Sequence, residues 1–167
     1  MTESLRGALG FAGYGLVAVL SGFGGAGLRA WAARRLLGRE PFAERAGVGG
    51  RALHLVLSVV VGLVAWFVLF LICIALVRGI AYPSVGGGDY ENSWGGPTLA
   101  GAWAVHALLA IAVVLPIGTL LIAALGVLQF AFARRLLVRA GAWWPLPVAV
   151  LVTMAGALFF VAWTHQA

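Results

Sequence analysis

The chain has 167 residues, of which 63% are hydrophobic and 10% charged, and a mean hydropathy of +1.05. A soluble domain is about 45–50% apolar and about 25% charged, so this composition excludes an ordinary soluble globule and a disordered chain. The formal net charge of +6 is not a nucleic-acid signal, because no soluble surface is available to carry a basic stripe. The single cysteine, Cys73, excludes an internal disulfide.

Apolar runs of the length of a bilayer core, about 20 residues, occur at residues 9–28, 53–77, 99–132 and 146–163. They predict an all-α integral membrane protein, one membrane domain of four transmembrane helices. Basic cytoplasmic loops are expected over residues 29–52 and 134–142, and a polar outer loop over 82–97.

The first run is crowded with glycine. In lipid, small residues four apart let helix backbones approach closely, and Ala18, Gly22 and Ala26, or Ser21 and Gly25, have that spacing. A packed helix face is the reading. A cleaved signal peptide does not fit, since the arginines follow the apolar stretch instead of preceding it.

The second run holds eighteen Leu, Ile, Val and Phe side chains between Leu53 and Val77. At about −0.3 to −0.6 kcal/mol each, insertion is favourable by at most about 5 to 11 kcal/mol. The segment between the second and third runs carries Gly86, Gly87, Gly88, Asp89, Tyr90, Glu91, Asn92, Gly95, Gly96 and Pro97. Such a density of turn residues predicts a loop.

The third run is longer than a bilayer needs, and Pro116 in its middle removes one backbone donor and predicts a kink. The fourth opens with Trp143, Trp144, Pro145 and Pro147, aromatic rings at headgroup depth beside a proline suited to a first helical turn.

The arginines set the expected orientation. Nine of the eleven basic residues, Arg29, Arg34, Arg35, Arg39, Arg45, Arg51, Arg134, Arg135 and Arg139, lie in or beside the basic loops, against Arg6 and Arg78 on the other side. The positive-inside rule makes the arginine-rich side cytoplasmic, which puts both termini of a four-helix protein outside a bacterial cell membrane. The same arginines are candidate contacts for anionic membrane lipid, at about 1 kcal/mol each, or for an acidic cytoplasmic signalling protein.

Residues 28–40 and 128–140 align at a shift of 100 positions. Leu28/Leu128, Ala33/Ala133, Arg34/Arg134, Arg35/Arg135, Leu36/Leu136, Leu37/Leu137 and Arg39/Arg139 are identical pairs. They predict a parallel two-helix internal repeat about an axis along the membrane normal.

Chemistry is sparse. Gly22, Gly24 and Gly27 spell GxGxxG, but the second strand and ribose-binding acid of a dinucleotide fold are missing. His54 is expected at the opposite end of the membrane from His106 and His165, which leaves at most the last two for a haem and no carboxylate to assist. Asp89, Glu91 and Asn92 fall short of a calcium loop. Tyr82, Tyr90, Trp94 and Trp103 read as interfacial anchors, with ligand recognition through the rings as the sharper alternative. No carboxylate lies inside an apolar run, and Cys73 sits in hydrocarbon where a thiol stays protonated. The expectation is no enzymatic activity, no cofactor, no metal and no nucleic-acid partner.

The segment WGGPTLAGAWAVH, Trp94 to His106, together with the ARRLL stretches at Ala33 and Ala133, resembles the sensor domain found at the N-terminus of many actinobacterial histidine kinases and in stand-alone membrane proteins. The resemblance covers residues 17–139. It implies paired membrane helices ending in basic segments, and signal transduction as the function. Two departures are the lack of the helix expected before the first ARRLL helix and a C-terminus expected outside, which no cytoplasmic kinase could follow.

The reading is therefore a sensor-like module that passes an envelope or bilayer stimulus to a cytoplasmic partner. Asp89, Glu91, Trp94, Trp103 and His106 are the candidate sensing residues and Pro116 the hinge. Arg34, Arg35, Arg39, Arg134, Arg135 and Arg139 would meet partner or lipid. The alternative is a small channel or transporter subunit, a homo-oligomer built on the glycine-rich first helix.

Overall fold

A computed structural model describes residues 2–41, 43–85, 90 and 92–166, without the side chains of Thr2 and Ser21. Every regular element among the described residues is helical. The elements are α1 (Thr2–Phe23), α2 (Gly25–Leu37), α3 (Val48–Ile80), α4 (Tyr82–Val85), α5 (Leu99–Leu109), α6 (Leu115–Ala133) and α7 (Pro145–Thr164). A π-helical turn, Ala110–Val114, joins α5 to α6, and a second, Arg134–Val138, ends α6.

Among the described residues, three helical stretches are long and apolar enough to cross a membrane: Val48–Ile80 with 33 residues, Leu99–Val138 with 40 and Pro145–Thr164 with 20. α1 is not one of them. Glu3 and Arg6 near its start and glycines at 7, 10, 13, 15 and 22 dilute its apolar content. α7 is apolar all round and largely exposed, with only Pro145 and Ala149 buried and Leu146, Val148 and Val152 partly buried against the core. A helix of that kind has lipid as its natural surroundings. Pro145 occupies its first position, as the Trp-Trp-Pro opening predicts.

The chain divides into two compact units, one of residues up to Trp66 together with those from Ile122, the other Phe67–Leu121. In the first unit the expected run 9–28 is not a single helix. It breaks at Gly24, after which Gly25 has φ +66°, a left-handed conformation that glycine adopts without a Cβ penalty. α2 then folds back along α1. The Leu36 carbonyl lies against Gly10, and a Cβ on Gly13 would stand 3.6 Å from the Leu36 side chain. Tyr14, Ala32 and Phe130 form the cluster that the two helices share with α6, edge-on between the Tyr14 and Phe130 rings at 5.8 Å. The basic connection expected over 29–52 is thus helical through Leu37.

The small-residue stripe of α1 is used in part. Ala18 is buried and a Cβ on Gly22 would meet Leu55 at 2.9 Å, whereas Ala26 is exposed and Gly25 faces open space. A backbone-to-backbone helix contact lies elsewhere. Gly15 meets Gly126 of α6, where any Cβ would run into the Phe11 carbonyl. Leu57 and Val61 of α3, Leu128 and Phe132 of α6 and Ala149 of α7 form a second buried cluster in this unit, and Ala46, Ala133 and Leu137 a third.

The two ARRLL stretches end alike. Ala33 and Ala133 are both buried, while Arg34, Arg35, Arg134 and Arg135 are exposed. α2 closes with Gly38 at φ +61° and the Arg39 N–H donating to the Ala33 carbonyl at 3.0 Å. The π-helical turn closes with Arg139 at φ +60° and the Ala140 N–H donating to the Arg134 carbonyl at 3.3 Å. The closures fall 101 positions apart while the sequences align at 100. The extra residue is what a π-helical turn inserts into an α-helical ladder.

In the second unit α3 packs against α5 and α6 through glycines. A Cβ on Gly79 would stand 2.8 Å from the Ala110 side chain, and one on Gly118 would stand 2.5 Å from Ile72. Tyr82–Val85, expected as loop, forms one helical turn. Thr98 caps α5 by accepting the Gly101 N–H at 3.1 Å. Pro116 is the second residue of α6, two positions after the π-helical turn ends at Val114. A proline cannot donate to the carbonyl four residues earlier, so both irregularities loosen the same stretch of the backbone ladder.

Candidate functional site

Of the expected sensing residues, Asp89 and Glu91 lie outside the described residues. Trp94 is 72% exposed. Trp103, also exposed, is anchored by its indole N–H, which donates to the Ile80 carbonyl at 3.1 Å. His106 is half-buried and stacks on Tyr82, centroids 4.3 Å apart with the rings inclined by 21°. Its Nδ1 lies 2.8 Å from the Ala102 carbonyl. A carbonyl only accepts, so Nδ1 carries a proton and the ring orientation is set by its own helix.

Tyr82 in turn is buried, with its hydroxyl 2.7 Å from the Ser93 hydroxyl. Gly101 packs against the Gly95 carbonyl, tying the polar segment to the first turn of α5. Tyr82, Ser93, Trp103 and His106 therefore hold that segment to the helix ends beside it. The sequence flagged Tyr82 only as an interfacial anchor; its pairing with His106 joins positions 24 apart and has no local signal.

The expected partner-facing arginines are exposed. Arg34, Arg35, Arg134 and Arg135 project from the last turns of their helices. Arg39 is tethered instead, its guanidinium 4.8 Å from the Phe130 ring centroid and 5.5 Å from that of Phe11, within reach of cation–π attraction.

The first unit also contains a cavity of about 540 Å³ that composition and motif did not reveal. Its walls come from the turn between α1 and α2, from Glu44, from the first turns of α3 and from Leu137. Arg29 and Glu44 pair across it, with Nη2 2.7 Å and Nε 2.8 Å from the same carboxylate oxygen, and their side chains are 10% and 12% exposed. His54, also in the wall, is buried, with Nε2 3.3 Å from the Ser58 hydroxyl. The ring meets Phe132 edge-on at 5.9 Å. The available signals were faint: Glu44 is one of five acids in the chain, and Ser58 stands one helical turn after His54.

Among the described residues no three His, Cys, Asp or Glu side chains gather as metal ligands would. No family model, curated protein or solved structure matches the chain.

Proposed function

We propose that this multi-pass membrane protein is a sensor-like module. The observation that carries the proposal is the Tyr82–His106 stack. It couples the polar segment before α5 to the one helical stretch that holds both a π-helical turn and a proline. A disturbance of that segment has a short path, through Tyr82 and His106, to the place where the stretch bends most cheaply. The exposed arginines of the two ARRLL stretches are the output surface, toward a cytoplasmic signalling protein or anionic lipid.

In this reading the arginine-rich ends face the cytoplasm of a bacterial cell and the C-terminus lies outside. α1 is the fourth crossing, which puts the N-terminus outside as well. The return of α2 to Gly10 favours a second arrangement, in which α1 and α2 dip in and out on the cytoplasmic side. The matched burial and closure of the ARRLL stretches support the internal repeat. The channel alternative loses support because Gly10, Gly15 and Gly22, the residues it would use between subunits, contact Leu36, Gly126 and Leu55 of their own chain.

The test replaces Asp89, Glu91 and Trp94 together with alanine and follows the host's transcriptional response to envelope stress. A blunted response at unchanged protein abundance supports the proposal. A parental response from the triple variant, with Pro116→Leu alone altering it, makes the segment a passive tether and the bilayer the stimulus.

A further inference from the structure

The cavity beside Arg29 has features that the sensor reading does not use. We infer that it is a binding site for the phosphate headgroup of an anionic lipid.

Within the cavity wall Arg29 and Glu44 neutralise one another. Arg51 is then the remaining cation of the wall, and it is exposed and has no acidic partner among the described residues. It lies in the first turn of α3, whose leading backbone N–H groups have no intrahelical acceptor. A long helix carries about half a positive charge at that end. The exposed Arg51 guanidinium, with the wall's acid Glu44 already paired and Val48 of the leading helical turn beside it, favours an anion. Arginine matches the oxygens of a phosphate by its planar fork of donors.

Apart from His54, the rest of the wall is apolar. Ala26, Val48, Leu55 and Leu137 line it, and a free inorganic ion gains nothing from such surroundings. The volume falls within the roughly 300–1,000 Å³ of small-molecule sites, larger than a bare phosphate needs. Val48 also begins a helix long enough to span a membrane, so the cavity opens where headgroups lie. An amphiphile with a phosphate at Arg51 and its first methylenes on Leu55 and Leu137 satisfies both parts of the wall. This inference rests on the membrane assignment and is independent of sensing.

The experiment uses the full chain purified in an uncharged detergent and measures its thermal unfolding midpoint against added dihexanoyl phosphatidylglycerol. Glycerol 3-phosphate and dihexanoyl phosphatidylcholine are the comparison ligands. A ligand that binds only the folded state raises the midpoint in a saturable way. Saturable stabilisation by phosphatidylglycerol alone is the expected result. Arg51→Gln should weaken it about five- to tenfold, and Ala52→Trp, which fills the cavity from an exposed wall position, should abolish it. Arg135→Gln, an exposed arginine outside the wall, should leave the affinity unchanged. Equal weakening by Arg51→Gln and Arg135→Gln would overturn the site, because the effect would then be general surface charge. Equal stabilisation by glycerol 3-phosphate would overturn the lipid as occupant.

Discussion

Gly15 of α1 and Gly126 of α6 meet backbone to backbone, so that a Cβ on Gly15 would stand 3.2 Å from the Gly126 Cα. Nothing larger than hydrogen fits at Gly126, because the Phe11 carbonyl occupies the place of its side chain. Gly126→Val should therefore separate the two helices. Overpacking costs about 1–3 kcal/mol where side chains can yield, and here the obstacle is backbone, so the upper part of that range is expected. Unfolding of the purified variant in detergent, monitored by far-UV circular dichroism, gives the measurement. Unchanged stability would show that α1 does not pack on α6 through this crossing.

Gln129 should tolerate an apolar replacement better than its burial suggests. Its Nε2 donates to the Gly15 carbonyl at 3.2 Å, but Oε1 is buried without a hydrogen-bond partner among the described residues. A net hydrogen bond contributes about 0.5–1.5 kcal/mol, and an unmet buried acceptor costs about 1–3 kcal/mol. Gln129→Met removes both, so its stability should fall within about 1 kcal/mol of the parent. A loss well above that would mean that Oε1 has a partner in the membrane-embedded protein.

The long apolar runs were legible because burial in lipid needs only length and composition. α3, the stretch from α5 through α6, and α7 all coincide with expected runs. The fold-back of α2 was not legible. It depends on Gly25 adopting a positive φ and on Leu36 returning to Gly10, and a glycine-rich apolar segment reads the same whether it continues or turns. Trp103, His106 and Pro116 could be picked out as unusual residues in an apolar chain, but the stack that gives His106 a partner is a product of tertiary packing. The cavity was hidden for the same reason: Arg29, Glu44 and His54 come from three separate segments.

The Arg29–Glu44 pair predicts an asymmetry between single and double variants. Removing one partner of a buried ion pair leaves a charge unmet and costs about 3–5 kcal/mol, whereas removing both is often far less damaging. Arg29→Met alone should destabilise strongly, and Arg29→Met with Glu44→Leu should recover most of the loss. Additive losses, measured by chemical denaturation of the four proteins of the cycle, would show that the two side chains do not interact.

Tyr82→Phe should loosen the polar segment without disturbing the spans. The change removes the bond to Ser93, about 0.5–1.5 kcal/mol, and keeps the ring that stacks on His106. Amide hydrogen exchange should speed up over residues 92–98 and stay constant in α6. No change in the segment would mean that the Tyr82–Ser93 bond does not hold it.

The central claim is the orientation set by the nine-to-two division of arginines, and cysteine labelling in whole cells tests it most directly. In a Cys73→Ala background, single cysteines at Ser84, Arg39 and Gly7 are exposed to a membrane-impermeant thiol reagent. Ser84 should react and Arg39 should stay silent until the cells are opened. Gly7, exposed and with open space where a Cβ would go, should react if α1 crosses the membrane and stay silent if α1 and α2 dip in from the cytoplasm. Equal labelling of Ser84 and Arg39, or labelling of Arg39 alone, would contradict the orientation and the sensor proposal built on it.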